Sequence, residues 1–322
     1  MRIIAKLSLL LMVVALATSC GSNKSKSNEL NGEILIDGSS TVFPLSEAVA
    51  EEFHHIYPQV RVSVGESGTG GGFKKFSRAE TDINDASRPI MESEIEACKA
   101  NGVDYLELEV AYDGMVVVVN PKNTWVKELK VSELKKLWSP EAQGRITRWN
   151  QIRPEWPDKE IHLYGPGTAS GTYDYFTEAI VGKAKSSRGD YTASEDDNVL
   201  VQGIASDELA LGYFGLAYYE NNKDKLKLVP IDDENPANGE GAILPSAQTV
   251  QSKTYSPLSR PLFIYINSKS LKRPEVQAFV EFYIDNCMKL APQVGYVSLD
   301  STTYQVAKNS WNEFLQKHTQ KQ

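Results

Sequence analysis

Strand signals and helix signals take turns along this chain from Glu33 onward, and this alternation constrains the fold more than any other feature. Glu33-Ile34-Leu35-Ile36-Asp37 has the length and apolar content of a short buried strand. Gly38-Ser39-Ser40-Thr41 follows, then a helix pattern with Pro44 in its first turn and Leu45, Ala48, Val49 and Phe53 on one face. Val60 to Val64 alternates with period two, and a glycine-rich turn then opens a helix at Phe73 to Ser77. Asp82 to Ala86 reads as a strand, and Glu92 to Asn101 as a helix stopped by Gly102. Met115-Val116-Val117-Val118-Val119 suits a strand buried on both faces. Val131 to Leu137 is a helix, and Trp149 and Trp156 flank a proline-rich loop. Ile161 to Tyr164 is a strand that runs through Gly165-Pro166-Gly167 into a helix over Tyr173 to Val181. Gly212 to Gly215, Leu226 to Val229 and Leu262 to Asn267 are later strands, and Glu275 to Ala291 is a long helix. Strand, loop and helix in repetition predict an α/β architecture with mixed or parallel sheets. No internal repeat is visible, and Asp232 to Gly241 reads as a loop.

The N-terminus predicts export. Arg2 and Lys6 precede an apolar stretch from Leu7 to Ala17, too short for a comfortable membrane span. Small residues then lead into Cys20, as in the lipobox of bacterial lipoproteins, so residues 1–19 read as a signal peptide and Cys20 as the lipidated residue. The following Gly21 to Asn28 is small and polar, as a flexible tether over 20–30 should be. The remaining roughly 300 residues exceed one hydrophobic core, so two lobes are expected. The whole chain carries a net charge of −8, which becomes −10 without Arg2 and Lys6. Such a chain is a poor nucleic-acid partner, and an anion would need a local site of oriented donors. Cys98 and Cys287 remain after Cys20, and their spacing leaves a disulfide open. The four histidines show no ligand spacing, and His54-His55 ends a helix pattern, so no metal site is expected.

Three loops carry the candidate chemistry. Asp37 to Pro44 places three hydroxyls between a strand and a helix start, an anion cradle or a set of helix caps. Gly65 to Lys74 is so rich in glycine that its backbone N–H groups can converge on a ligand. It lacks the terminal Gly-Lys-Ser/Thr of a nucleotide-binding loop. Tyr164 to Asp174 repeats the logic of the first loop, with Ser170 and Thr172 as caps or donors. Arg88, after Asp85-Ala86-Ser87 and before Pro89, offers a planar fork to a tetrahedral oxyanion; the plainer alternative is an ion pair with Asp85 or Glu92.

Assembled, these residues resemble the phosphate-binding receptors of ABC phosphate importers. Gly38 to Leu45 is similar to that family's first phosphate loop, Ser67 to Lys74 to its second, Ala86-Ser87-Arg88-Pro89 to the next strand end, and Ala169 to Thr172 to the loop of the opposite lobe. The likeness runs in order over nearly the whole mature chain. It implies a two-lobed periplasmic-binding-protein fold of type II, with two mixed-sheet domains joined by a two-strand hinge. Residues 31–114 plus 258–322 would form the first lobe and 115–257 the second. Val116–Asn120 and Leu262–Asn267 would then be the crossings.

It further implies that dehydrated inorganic phosphate is held between the lobes by Ser40, Thr41, Val42 through its N–H, Thr69, Gly70, Arg88, Ser170, Gly171 and Thr172. Removing Arg88 should then cost ~2–5 kcal/mol of affinity. No cofactor is implied. The implied partners are an ABC permease and, through Cys20, the membrane outside the cytoplasm, with the receptor a monomer. One branch of the family has aspartate where Arg88 stands and an arginine near Pro166. This chain resembles a second branch with the cation on the first lobe, which leaves Asp85, Asp113 and Asp174 as candidate acceptors of a phosphate proton. The alternatives are a receptor for sulfate, molybdate or arsenate, a secreted phosphatase, and a surface receptor without transport. The phosphatase would need a base beside its nucleophile, and no histidine lies near the hydroxyls in sequence.

Overall fold

The computed structural model describes residues 30–168, 170–194 and 196–319. The leader, Cys20 and nearly all of the tether lie outside the described residues. Among those residues no helix is long and apolar enough to cross a membrane.

The first half opens with β1 (Gly32–Gly38), α1 (Phe43–Ile56), β2 (Val60–Gly65), α2 (Thr69–Phe76), β3 (Ile83–Ala86) and α3 (Glu92–Ala100). Helix α1 tolerates Pro44 because a first-turn N–H has no intrahelical partner. Its buried Leu45, Val49 and Phe53 repeat every four residues. Phe53 meets Phe279 edge to face at 5.2 Å, on α9 (Pro274–Leu290). Helix α2 starts earlier than its apolar residues suggest, so Gly70, Gly71 and Gly72 are helical rather than loop. A Cβ on Gly72 would sit 2.0 Å from Asn84 Oδ1 and 2.6 Å from Gly38 Cα. The glycine is therefore there for close backbone approach.

Strand β4 (Tyr105–Val119) is much longer than its valine run. Its first part pairs with β11 (Ser259–Asn267) up to Gly114, and from Met115 it pairs with β8 (Ala210–Gly215). One strand thus runs through both halves. The strand Leu262–Asn267, expected as the second crossing, instead lies within the first half as part of β11, between β3 and β4. The chain returns just before it, where Met115 N–H donates to Leu258 O at 2.9 Å.

The second half adds β5 (Leu129–Lys130), α4 (Val131–Trp138), β6 (His162–Pro166), α5 (Gly171–Phe176), β7 (Thr192–Ser194), α6 (Asp197–Ser206), α7 (Leu216–Glu220), β9 (Lys227–Leu228), β10 (Ile231–Asp232) and α8 (Ala247–Gln251). Helix α5 gives way to one wider turn over Thr177–Val181. The chain ends in α10 (Ser301–Thr319).

The sheet order is β2-β1-β3-β11-β4-β8-β6-β7. Strand β1 lies parallel between β2 and β3, and β6 lies parallel between β7 and β8. In each half, then, the first of three parallel strands is the middle one. The loops leaving β1 and β6 occupy the same kind of position, a switch point where connections part to either side. Topology repeats although the sequence does not.

One large core runs through both halves, and a smaller cluster sits under α2 and α3. In the second half Phe176 stacks on Tyr213 at 3.6 Å, and Trp138 meets Tyr213 edge-on at 4.9 Å. Cys98 belongs to the small cluster and Cys287 to the large one, and both are free thiols. His54 and His55 are exposed in the last turn of α1.

Candidate functional site

The first loop leaves β1 through Gly38, whose φ of +145° and lack of Cβ admit the Asp85 carbonyl. A Cβ there would lie 2.1 Å from that oxygen. Ser39 N–H donates to it at 2.9 Å. The Ser39 hydroxyl accepts from Thr41 N–H at 3.2 Å, and its carbonyl accepts from Val42 N–H at 3.1 Å and Phe43 N–H at 3.0 Å. No side chain caps α1. The loop hydroxyls are therefore not helix caps. The Val42 N–H, expected to face a ligand, is already hydrogen bonded, because the loop closes on itself as a tight turn. Ser40 is exposed and Thr41 buried.

The second loop is tied to the end of β1. Ser67 donates to Asp37 Oδ1 from its N–H at 2.9 Å and its hydroxyl at 2.7 Å, and Lys75 Nζ bonds the other oxygen. These donors outweigh desolvation and hold the Asp37 carboxyl below its ordinary range. Gly68 takes φ +77° and lets α2 begin at Thr69. Thr69 Oγ1 accepts from Ser87 N–H at 3.2 Å, which joins this loop to the end of β3.

Arg88 lies on that same edge. Nη2 would be 3.6 Å from a Cβ on Gly70, but its fork is engaged bidentately by Glu94 at 2.8 and 2.9 Å. The ion pair expected with Asp85 or Glu92 is absent. Asp85 faces the interior, and Glu94, two residues beyond Glu92 in the first turn of α3, has the reach. Neither carboxylate oxygen of the fully buried Asp85 has a hydrogen-bond partner. Burial pushes its carboxyl up to about 8, with nearby Ser46 offsetting part of the effect. Near neutral pH it is an uncharged acid beneath the first loop.

The third loop comes from the other half. Ser170 caps α5 by accepting Thr172 N–H at 3.1 Å, which leaves its own O–H to donate outward. A Cβ on Gly171 would stand 3.1 Å from Thr41 Oγ1. The two loops thus meet face to face, glycine against threonine. Asp174 is half-buried and pairs with Lys185 at 3.5 Å.

Thr41 has two further partners that no sequence pattern pointed to. Tyr296 Oη donates to its carbonyl. Arg260 Nη2 donates to its hydroxyl at 3.1 Å. Arg260 stands opposite Asp113 across β11 and β4, and Nε and Nη2 both reach Asp113 Oδ2 at 3.3 Å. Burial raises the Asp113 carboxyl while Arg260 pulls the other way. The guanidinium carbon lies 3.6 Å over the ring of Tyr175 on α5. The available signal was an arginine beside the apolar run Leu262–Ile266, but a strand begun at Leu262 leaves Arg260 in a loop.

The structure therefore brings Thr41 and Gly171 together, and separately groups Thr69, Gly70 and Arg88. Asn84 and Gly72 pack between the first two loops. Among the described residues no cluster of three or more His, Cys, Asp or Glu side chains could hold a metal ion.

The model of the PBP superfamily domain matches residues 23–286. This chain belongs to that superfamily, among its phosphate-binding receptors. It is 48% identical over 313 residues to Protein SphX of Synechocystis, covering 97% of this chain and 89% of SphX. It is 39% identical over 304 residues to the phosphate-binding protein PstS of Staphylococcus saprophyticus, covering 94% and 91%. A crystal structure described as a possible phosphate binding protein from Planctomyces limnophilus superposes with a TM-score of 0.84 at 48% identity, covering 89% of this chain and 99% of that one. The family comprises solute-binding receptors rather than enzymes, and the two-lobed α/β fold is the one it shares.

Proposed function

We propose that this chain is an extracytoplasmic lipoprotein that captures inorganic phosphate between its two halves and delivers it to an ABC importer. One observation carries the reading. At Thr41, a loop from a switch point of one half touches a loop from the equivalent switch point of the other. Open α/β sheets bind ligands at such points. Hydroxyls at Thr41, Thr69, Ser170 and Thr172 favour an oxyanion. Relatives described as phosphate-binding proteins point the same way. Ser40, Val42, Gly70, Arg88 and Gly171 complete the proposed ligand set. Val42 and Arg88 must first exchange their present partners for the anion. The halves are proposed as 31–114 with 258–322, and 115–257, with Cys20 lipidated, residues 1–19 removed and the receptor monomeric.

Calorimetric titration of the purified protein with phosphate, arsenate, sulfate and molybdate tests this reading. Phosphate should bind at least about a hundredfold more tightly than sulfate. Sulfate binding without phosphate binding would sink it. In cells, Cys20→Ser should release the protein from the membrane fraction, and retention there would refute the lipid anchor.

A further inference from the structure

We propose that Arg260 supplies a positive charge to the anion cleft and is an anion ligand of this receptor. The proposal rests on the oxyanion reading above and names a ligand outside the three loops.

The argument begins with which cations are available. Of the others at the loops, Lys74 is exposed on α2, Lys185 pairs with Asp174, and Lys75 and Arg88 are each engaged by a carboxylate of their own half. Lys75 bonds Asp37, and Arg88 is gripped by both oxygens of Glu94 at 2.8 and 2.9 Å. Arg260 is held differently. Its two bonds to Asp113 share a single oxygen and are long, at 3.3 Å. A guanidinium has five N–H donors. Nε uses one, and Nη2 directs its two toward Asp113 and Thr41. Among the described residues Nη1 makes no hydrogen bond, and it is not among the sealed polar atoms that lack a partner. Two donors on a largely buried cation thus remain for something in the cleft. The side chain is only 13% exposed, so its charge acts in a medium that screens it poorly.

Position supports the same assignment. Arg260 and Asp113 face each other across the two strands that lead toward the second half. The guanidinium lies flat on Tyr175, 3.6 Å from the ring centre, and the Tyr175 hydroxyl donates to Pro257 O at 2.6 Å. Stacking fixes the plane of the fork and leaves its edge toward Thr41. A closed ion pair uses both carboxylate oxygens, as Arg88 and Glu94 do in this structure. This one leaves its fork half open beside the hydroxyl where the two halves meet.

The test is calorimetric titration with inorganic phosphate of the parent protein and of Arg260→Gln, Arg260→Lys and the surface control Arg148→Gln. Circular dichroism checks that each is folded. Arg260→Gln should weaken binding on the order of 10²- to 10³-fold, while the surface control Arg148→Gln should cost less than about tenfold. Arg260→Lys keeps the charge and should recover at least about tenfold over Arg260→Gln. That rescue would not follow from a merely structural role.

The proposal is overturned if Arg260→Gln binds like the parent, or if Arg260→Lys is as weak as Arg260→Gln. Should Arg260→Gln fail to fold with Asp113 unpaired, Asp113→Asn/Arg260→Gln removes both charges, and parental affinity in that variant overturns the proposal equally. A parent protein that binds no phosphate defeats the underlying reading instead, a result distinct from all of these.

Discussion

Gly171→Ala separates ligand capture from folding. Gly171 is the first residue of α5, and its φ is not in the left-handed region, so alanine suits the backbone. In a helix, alanine should be neutral or better by roughly 0.5–1 kcal/mol. The three atoms nearest the added methyl all belong to Thr41: Oγ1 at 3.1 Å, Cα at 3.5 Å and N at 3.6 Å. The last two are ordinary contacts, so only the hydroxyl oxygen must yield, by a few tenths of an ångström. It is not free to turn, because Arg260 Nη2 holds it at 3.1 Å. Overpacking of this kind costs about 1–3 kcal/mol. The cost arises only when the halves are closed, so it subtracts from binding rather than from stability. Phosphate affinity should fall roughly 5- to 150-fold while the melting temperature without ligand holds or rises. Calorimetric titration and a thermal melt on the same sample decide it. An affinity within about twofold of the parent would refute the reasoning, since the Thr41–Gly171 contact would then not belong to the ligand-bound state. A fall in the ligand-free melting temperature would also refute it.

Gly72→Ala should do the opposite and damage the fold. Its Cβ would strike Asn84 Oδ1 at 2.0 Å and the Gly38 backbone at 2.6 Å, and backbone cannot step aside. A loss of about 3 kcal/mol or more, read as a melting point lower by roughly 5–10 °C, is expected. Asp85→Asn should alter the pH dependence of stability. The folded protein keeps a proton on Asp85 up to about 8, whereas the unfolded chain releases it near 3.8, so the folded state binds more protons throughout that window. Parental stability therefore falls as pH rises through the window, by a few kcal/mol at most, and levels off above it. The melting temperature of Asp85→Asn relative to the parent should climb between pH ~5 and pH ~8.5. Parallel profiles would show that Asp85 does not titrate there.

What could be read in the linear chain was whatever depends on neighbours a few residues apart. The alternation of strand and helix, Pro44 in a first turn, the apolar face of α1, and the hydroxyl and glycine loops between elements are local signals, and the matching elements stand in the structure. Element ends were less legible. The glycines of α2 read as a loop by propensity, yet they are helical because tertiary packing leaves no room for a larger residue. The first ten residues of β4 lack the valine run's signature, because that stretch is a strand through its pairing with β11.

The sequence by itself determined that this is an α/β chain with three donor-rich turns, since each rests on short-range chemistry. Only the tertiary structure decided that Thr41 is where the halves touch, that Arg88 is engaged by Glu94, that burial raises the Asp85 carboxyl, and that Arg260 reaches Thr41. Arg260 and Thr41 are 219 residues apart. No local pattern records such a contact, because it depends on strand order and register, which form only when both ends of the chain join one sheet.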